Sequence, residues 1–260
     1  MSTPALLVED LTQRFGAVTA FEHVSFSVAE GELFAVIGPN GAGKTSLFNV
    51  LSRVYRPTGG SVRFAGGDLL ARRPHQLAAA GIARTFQNLG LFGELTVLDN
   101  VLVGRHHLMR SGPLRAGLWL GSARREERAH RAAALEALRF VGIEHYADAP
   151  VRTLPYGAQK HVEVARALAM EPRLLLLDEP VAGMSSEERV AVTALVRRLH
   201  EERGLTILLV EHDMGMVMQV AQRVLVLDFG RVIALGTPAE VQRDEQVIRA
   251  YLGDDVAVAA

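Results

Sequence analysis

The chain has 260 residues, 49% of them hydrophobic, and a formal net charge of −1. This length suits one compact domain carrying a smaller subdomain, and the near-zero charge argues against nucleic-acid binding driven by bulk charge. Cysteine is absent, which excludes disulfides and fits a cytoplasmic protein. Residues 1–10 lack the pattern of a signal peptide, and no apolar run approaches the length of a membrane span. We therefore expect any membrane role to come through a partner.

Two segments near the start of the chain alternate apolar and polar residues. Residues 5–12 and 21–28 have this pattern, which predicts half-buried antiparallel strands. Phe15 lies between them, just before a turn. Such an aromatic residue most often packs in a core. Its position shortly upstream of a phosphate-binding motif also makes it a candidate for stacking on an adenine.

Residues 38–45 read GPNGAGKT and match the phosphate-loop pattern GxxxxGK[ST] at every fixed position. A predicted strand precedes this loop and a predicted helix follows it, which is the order that phosphate binding needs. Glycines let the backbone amides point inward, and the helix adds its positive dipole end. Lys44 is predicted to reach the β- and γ-phosphates and Thr45 to ligate Mg²⁺. A glycine-rich turn matching by chance is the alternative, and the flanking elements argue against it.

The middle of the chain is predicted to be mostly helical. Residues 82–86 form a predicted strand that leads to Gln87, which is either a ligand of metal and water at a hinge or a solvated loop residue. Helical spacing runs through residues 97–141, and a further helix is predicted at residues 160–170. The mixed charges of residues 124–131 favour a solvated helix face over a nucleic-acid patch. The apolar insertion at residues 111–122 either contacts a partner or caps the core.

A second strong signal is the apolar run RLLLLD at residues 173–178. It predicts a buried parallel strand that delivers Asp178 and Glu179 to its carboxyl end, where parallel sheets bind their ligands. Asp178 is a candidate for the Mg²⁺ shell, and Glu179, which points the other way, is a candidate to polarise an attacking water. The alternative is that these acids are simply solvated at the end of a strand, and the phosphate loop in the same chain argues against that interpretation.

The last third of the chain contains another apolar strand, at residues 206–210, that leads to His212. An imidazole at that place could form a hydrogen bond with a γ-phosphate. A hairpin of two strands is predicted at residues 223–235 with its turn at Gly230, and residues 253–260 are predicted to be a frayed tail. Capping-box patterns predict two helix starts: Ser185 with Glu188, and Thr237 with Glu240.

The order of these motifs resembles that of an ABC transporter ATPase subunit, over essentially the whole chain. The resemblance implies an α/β fold: an ABC-type nucleotide-binding domain with a RecA-like P-loop core, an N-terminal antiparallel β-subdomain and an inserted α-helical subdomain. It implies one domain over residues 1–260. The core with its β-subdomain would occupy 1–87 and 165–252, the helical subdomain with the signature motif 88–164, and the flexible tail 253–260.

The resemblance also implies roles for individual residues. Phe15 would stack on adenine, and LPYGAQ at residues 154–159 would be the signature motif, in which Tyr156 and Gly157 contact nucleotide. The Walker A loop would bind ATP through Gly38, Pro39, Asn40, Gly41, Ala42, Gly43, Lys44, Thr45 and Ser46. The implied catalytic residues are Glu179, His212 and Gln87. The implied Mg²⁺ ligands are Thr45, Gln87 and Asp178.

The chain departs from the family pattern at three positions. In the signature motif, Pro155 replaces the usual serine and Ala158 the usual glutamine. Proline lacks both a hydroxyl and an amide donor, but Gly157 and the helix start beyond it still offer backbone amides. We therefore expect weakened contacts to the γ-phosphate and a working site. Ser185 stands where the family commonly has an acid or amide that contacts the second cassette.

Within the family, four stretches look most like the ATP-binding subunit of bacterial branched-chain (hydrophobic) amino-acid importers: RTFQNLGLFGELTVLDNVLVG, LPYGAQKHVEVARALA, VEHDMGMVM and VIRAYLGDD. The resemblance implies a head-to-tail dimer with an identical or paralogous ATPase subunit. ATP would drive transport by binding the closed dimer better than the open one. Integral membrane permease subunits would dock near residues 87–100, at the cytoplasmic face of the bacterial membrane, and no nucleic acid would be bound.

Other functions are open to the same residues. The ATPase of a lipopolysaccharide exporter shares much of the pattern and would differ at the partner surface, including the insertion around Trp119. Pro155 and Ala158 motivate a nucleotide-gated binding protein with little hydrolysis, against which Glu179 and His212 argue. A DNA-repair or chromosome-organising ATPase would need a long heptad segment, which is absent. A GTPase would need an NKxD motif and a small-molecule kinase an acceptor-site signature; neither is present.

Overall fold

The structure is a computed structural model that describes residues 4–85, 90–109 and 121–257. Gln87 and most of the apolar insertion, with Trp119, lie outside the described residues. The chain divides into two units. The first consists of Met1–Leu77 and Leu174–Ala260, and the second of Ala78–Arg173. The segment 88–164, predicted as the helical subdomain, lies within the second unit.

The elements of the described residues follow the chain in an α/β order. The strands are β1 (Leu6–Phe15), β2 (Val18–Val28), β3 (Leu33–Ile37), β4 (Gly59–Phe64), β5 (Gly67–Asp68), β6 (Ile82–Arg84), β7 (Leu174–Asp178), β8 (Thr206–Val210), β9 (Arg223–Asp228) and β10 (Arg231–Gly236). The helices are α1 (Lys44–Leu51), α2 (Leu77–Ala80), α3 (Val97–Gly104), α4 (Gly121–Phe140), α5 (Tyr156–Ala169), α6 (Ser186–Arg203), α7 (Met214–Val220), α8 (Pro238–Val241) and α9 (Glu245–Ala257).

The first unit contains an antiparallel sheet with the strand order β2-β1-β4-β5. Its inward residues, such as Leu6, Val8 and Leu11, are almost completely buried, while their neighbours along β1 are more exposed. This alternation is what one packed face and one solvated face produce. The two antiparallel strands predicted from the sequence are confirmed, and each continues to the turn between Phe15 and Val18.

The larger sheet carries the strands β10-β9-β3-β8-β7 of the first unit in that order. Strands β9, β3, β8 and β7 are parallel, and β10 pairs antiparallel with β9. Every residue of β3, β7 and β8 is buried, because a parallel sheet is covered on both faces. Val210 pairs with both Val36 and Asp178. The carboxyl ends of β3, β8 and β7 therefore lie side by side.

In the second unit, α3 packs against α4 and α5. Asn100 of α3 is fully buried and satisfies its amide within the preceding loop. Its Nδ2 donates to the carbonyls of Phe92 at 3.0 Å and Thr96 at 2.9 Å, and its Oδ1 accepts from the Phe92 N–H at 2.8 Å. A buried amide with all these bonds gives residues 92–96 one defined conformation.

Several helix boundaries differ from those predicted. The sequence predicted a helix from Lys160, but α5 begins at Tyr156. Pro155 is the reason, since its extended ψ of 152° and ring-restricted φ make it a suitable residue before the first turn. At the other end of the chain, α9 continues to Ala257 and so extends into the segment predicted as a tail. Among the described residues, no helix combines the length and apolarity that crossing a membrane requires.

The predicted capping box at the start of α6 is confirmed and supports a stability prediction. The Ser185 hydroxyl accepts from the Glu188 N–H at 3.3 Å, and the Glu188 carboxylate accepts from the Ser185 N–H at 2.9 Å. Ser185→Ala removes the first bond, so we expect a loss of about 1 kcal/mol, or roughly 2–4 °C in Tm. Thermal unfolding measures it, with Ser186→Ala, one residue inside the helix, as the control. Equal Tm values for both variants would contradict the capping role.

Candidate functional site

The loop between β3 and α1 needs glycine at specific points. Gly38 has φ of 148° and Gly43 has φ of 101°, a region that favours glycine. A Cβ on Gly38 would collide with the carbonyl oxygen of Leu227, and one on Gly43 with that of Ala20. The loop therefore curls tightly against its neighbouring strands, and its two outer glycines permit that approach.

The loop exposes Asn40, Gly41 and Thr45. Gly43 precedes the first residue of α1 and provides no side-chain cap for the first-turn amides of this helix. Such amides, together with the positive end of the helix dipole, form a site for anions. Ala42 is buried and ties the loop to the β9–β10 turn, since its carbonyl accepts from the Gly230 N–H at 3.1 Å.

Lys44 is the first residue of α1 and is only 6% exposed. Its Nζ donates to the carbonyl oxygens of Gly38 at 2.6 Å and Pro39 at 2.9 Å. Burial lowers the pKa of Lys44, and the nearby carboxylates of Glu179 and Glu211 oppose that shift. The ammonium group is thus held inside the loop, with two acids close enough to act on its charge.

The two predicted acids lie at the carboxyl end of β7. Asp178 is the last strand residue and is 3% exposed. Glu179 follows with φ of 47°, and its N–H donates to the carbonyl of Val210 at 2.9 Å. The left-handed conformation costs a non-glycine residue about 1–2 kcal/mol, and residues held there cluster at functional sites. The backbone bond to β8 helps to keep Glu179 in this conformation.

Next to β7, β8 is followed directly by Glu211 and the predicted site residue His212. The His212 side chain is 57% exposed, and its Nδ1 lies 3.8 Å from Oε2 of Glu211. Glu211 has no exposed surface. Its Oε2 accepts from the N–H groups of His212 at 2.9 Å and Asp213 at 3.1 Å, and its Oε1 accepts from the N–H of Val181 at 3.0 Å.

Sequence reasoning did not single out Glu211 as a residue of the site. A signal was present, because an acid directly after a fully apolar strand is placed at the edge of the core, where a carboxylate must find hydrogen-bond donors. The identity of one donor, Val181, depends on which strands are neighbours. That information is in the sheet order and in no local pattern.

The aromatic candidate Phe15 ends β1 and is 44% exposed. The structure therefore does not bury it in the core. Its ring makes an edge contact with Tyr55, with centroids 5.1 Å apart and planes at 77°. Tyr55, which is 36% exposed, is a second aromatic residue that the sequence analysis did not single out. The pair presents apolar ring surface of the kind that a flat base can stack on.

The segment LPYGAQ, predicted to be the signature motif, belongs to the second unit, at the start of α5. Pro155 precedes the first turn and no side chain caps it. Tyr156 is 43% exposed and Gly157 is half-buried. The uncapped first-turn amides keep the anion-binding capacity of a helix start. Gln159 stabilises the entry to the helix, since its Nε2 donates to the carbonyl of Leu154 at 2.9 Å.

Oxygen donors at the site suit magnesium. Thr45 offers a hydroxyl and Asp178 a carboxylate, and Mg²⁺ is typically bound by one or two protein oxygens together with phosphates and waters. Within residues 4–85, 90–109 and 121–257 there is no group of three or more His, Cys, Asp or Glu residues that could hold a metal by itself. This arrangement fits a metal ion that arrives with a polyphosphate.

Comparison with known proteins identifies the family. A family model described as "ABC transporter" matches residues 21–182, more than half of the chain. The chain belongs to the ABC transporter family. A second model, "Branched-chain amino acid ATP-binding cassette transporter", matches residues 231–257 of this ABC protein.

Two curated relatives are similar to this ABC ATPase over almost their whole length. The high-affinity branched-chain amino acid transport ATP-binding protein BraF of Pseudomonas aeruginosa is 41% identical, covering 98% of this chain and 100% of the relative. The LivG protein of Escherichia coli K12, described in the same words, is 38% identical with the same coverage. The predicted membership of the ABC transporter ATPase family is thereby confirmed.

Solved ABC cassettes have the same fold. The ADP conformation of the cassette MJ1267 is 30% identical and gives a TM-score of 0.83, covering 97% of this chain and 100% of that one. The dimeric, post-hydrolysis cassette MJ0796 bound to ADP and Pi is 26% identical with a TM-score of 0.75, covering 90% and 98%. The predicted α/β cassette fold is confirmed, and the protein is an ATPase that binds adenine nucleotides.

Lys44 provides a direct test of the phosphate loop. Lys44→Ala removes a buried cation that would make charge-assisted bonds to two phosphates, each worth about 1.5–3 kcal/mol. We expect ATP affinity to fall by about 100-fold or more, as measured by titration with a fluorescent ATP analogue. Arg63→Ala, which removes one positive charge from an exposed position on β4, is the control. Undiminished affinity in the Lys44 variant would reject the assignment of this loop.

His161 on α5 makes stability depend on pH, because burial lowers its pKa below the usual 6.5. The unfolded chain binds a proton at this residue more readily than the folded one, so this contribution to stability falls as pH drops below about 6.5. We expect the Tm of His161→Gln to fall less than that of wild type when the pH is lowered from 7.5 to 5.5. The exposed His75→Gln is the control. Parallel pH profiles for wild type and the His161 variant would contradict this.

Proposed function

We propose that this chain is the ATP-hydrolysing subunit of a membrane importer for branched-chain or related amino acids. The observation that carries the proposal is the convergence, at one edge of a parallel sheet, of the Lys44 loop, the Asp178–Glu179 pair and His212. Similarity to BraF and LivG over almost the whole length supports the class of substrate. The match of residues 231–257 to the branched-chain family model supports it independently.

ATP would be held mainly by the loop before α1. The loop amides and Lys44 would bind the β- and γ-phosphates, and Phe15, supported by Tyr55, would stack on the adenine. Mg²⁺ would be held by Thr45 and Asp178, with Gln87 as a third ligand. When bound, this ion would neutralise charge on the phosphates.

Hydrolysis needs a base that orients water and a donor for the γ-phosphate. The Glu179 carboxylate, held in its position after β7 by the backbone bond to Val210, would accept a hydrogen bond from the attacking water. That water forms a new P–O bond at the γ-phosphorus as the bond to the β-phosphate oxygen breaks, which yields ADP and phosphate. The exposed imidazole of His212 would donate a hydrogen bond to the γ-phosphate.

The active form would be a head-to-tail dimer of cassettes. Each ATP would lie between the Lys44 loop of one subunit and the α5 start of the other, where Tyr156 and Gly157 supply contacts. The related cassette MJ0796 is dimeric with ADP and Pi bound, which supports a dimeric form. Pro155 offers neither a hydroxyl nor a backbone N–H at this surface. We therefore expect ATP to drive the association of the two subunits less strongly than it would with a serine at this position of the signature motif.

Permease subunits would dock on residues 87–100. In the described part of this segment, Phe92 is 54% and Leu95 40% exposed, while Asn100 holds the backbone beneath them. Exposed apolar side chains on a fixed backbone are typical of protein interfaces. We infer that this surface binds the cytoplasmic side of the membrane channel.

The proposal is tested first by ATPase activity measured across a range of protein concentrations. Glu179→Gln retains the shape of the side chain and removes the charge that orients water, so it should bind ATP as wild type does and lose most turnover, about 100-fold or more. The wild-type specific activity should rise with concentration as dimers form. Wild-type turnover in the variant would reject the role of Glu179.

Uptake of labelled leucine tests the transport function. Cells that lack the chain should lose high-affinity uptake, and the wild-type protein should restore it. The Glu179→Gln protein, expressed at the same level, should fail to restore uptake. Normal uptake in cells without the chain would argue against an importer of this substrate class.

A further inference from the structure

Glu211 connects two chain segments that the proposed reaction needs in fixed positions. One segment follows Glu179 and contains Val181, and the other contains His212 and Asp213. The carboxylate bonds to both, with Oε1 on the Val181 N–H at 3.0 Å and Oε2 on the N–H groups of His212 at 2.9 Å and Asp213 at 3.1 Å. Among the side chains, only glutamate and the shorter aspartate present two oxygens that accept hydrogen bonds and donate none.

The environment of Glu211 makes its charged form important. The residue has no exposed surface, so its carboxylate depends on protein donors for its hydrogen bonds. A carboxylate accepts all three N–H groups, whereas a glutamine of the same shape would direct an NH₂ group at one of them. One of the two segments would then lose its acceptor and shift.

Glu211 also contributes to the electrostatics of the nucleotide loop. Its charge acts on the buried Lys44, together with that of Glu179. Removing this negative charge leaves Lys44 with one acid fewer beside it, so attraction of the ammonium for phosphates would not decrease. The Glu211 side chain bonds to backbone groups of its own subunit, and none of these bonds requires nucleotide.

We propose that Glu211 is a positioning residue for ATP hydrolysis, which holds the segment after Glu179 and the proposed γ-phosphate ligand His212 in one fixed mutual arrangement. This inference rests on the proposed roles of Glu179 and His212. A second tie, the backbone bond from Glu179 to Val210 at 2.9 Å, fixes the start of the first segment. Glu211 fixes its continuation and adds the histidine to the same assembly.

The test is Glu211→Gln in the full-length protein, with ATP affinity, KM and kcat measured beside Tm. A small displacement of reacting groups lowers rates by up to about 100-fold, so we expect kcat to fall about 10- to 100-fold. ATP affinity should not fall, because the Lys44 loop keeps its phosphate-binding groups and only a nearby negative charge is lost. A selective loss of kcat is the result that a general loss of folding would not produce.

Glu32→Gln is the matched control. Glu32 is also a buried acid, 7% exposed, and accepts from the Ala29 N–H at 2.6 Å and from Arg223 at 3.3 Å, but it bonds to none of the proposed catalytic segments. This variant should lower Tm and leave kcat near wild type. Equal losses of kcat in both variants would overturn the proposal, as would a Glu211 variant with wild-type kcat or with affinity and kcat reduced together.

Two further measurements make the test complete. If Glu211→Gln does not fold, Glu211→Asp is measured in the same way and should retain affinity with reduced kcat; a wild-type kcat there overturns the proposal. Amide exchange of Val181 in the wild-type protein should be slow, and rapid exchange would contradict the bond. The Glu179→Gln rate distinguishes failure of the proposed function from failure of the Glu211 proposal. A wild-type rate in Glu179→Gln would reject the proposed function, whatever the Glu211 variants show.

Discussion

The register of three parallel strands is the constraint on which the site depends. Val210 of β8 pairs with Val36 of β3 on one side and with Asp178 of β7 on the other. Because parallel strands all point the same way, the residues that follow them meet at one edge of the sheet. The nucleotide loop, the paired acids and the histidine are thus brought together by backbone pairing. A shift of one residue in any of these pairings would turn the acids to the other face.

This edge also concentrates buried charge. Lys44, Asp178 and Glu211 each have less than a tenth of their surface exposed, and isolated charges at such depth are strongly unfavourable. The structure offsets the cost with carbonyl acceptors for Lys44 and with three backbone donors for Glu211. The hydrogen bonds that make the charges tolerable also hold the loops in place. The same hydrogen bonds therefore satisfy the buried charged groups and position the loops.

Most of the fold could be predicted from local patterns. The apolar runs of β7 and β8, the alternation in β1 and the capping box at Ser185 each signal their element within a few residues. The start of α5 was misplaced by four residues, because whether a proline directly precedes the first turn of a helix depends on its backbone conformation. The sequence analysis gave two interpretations of Phe15, packing in the core or stacking on an adenine, because the exposure of a residue depends on which other segments cover it.

The sequence by itself determined the phosphate loop, the paired acids and the family, because glycine spacing and strand-end acids are signals carried by neighbouring residues. Only the tertiary structure decided the partners of Glu211 and the contact of Phe15 with Tyr55. Val181 and Glu211 are 30 residues apart in the chain, and they meet because β7 and β8 are adjacent in the sheet. Long-range pairing of this kind is fixed by how whole elements pack, and no local pattern encodes it.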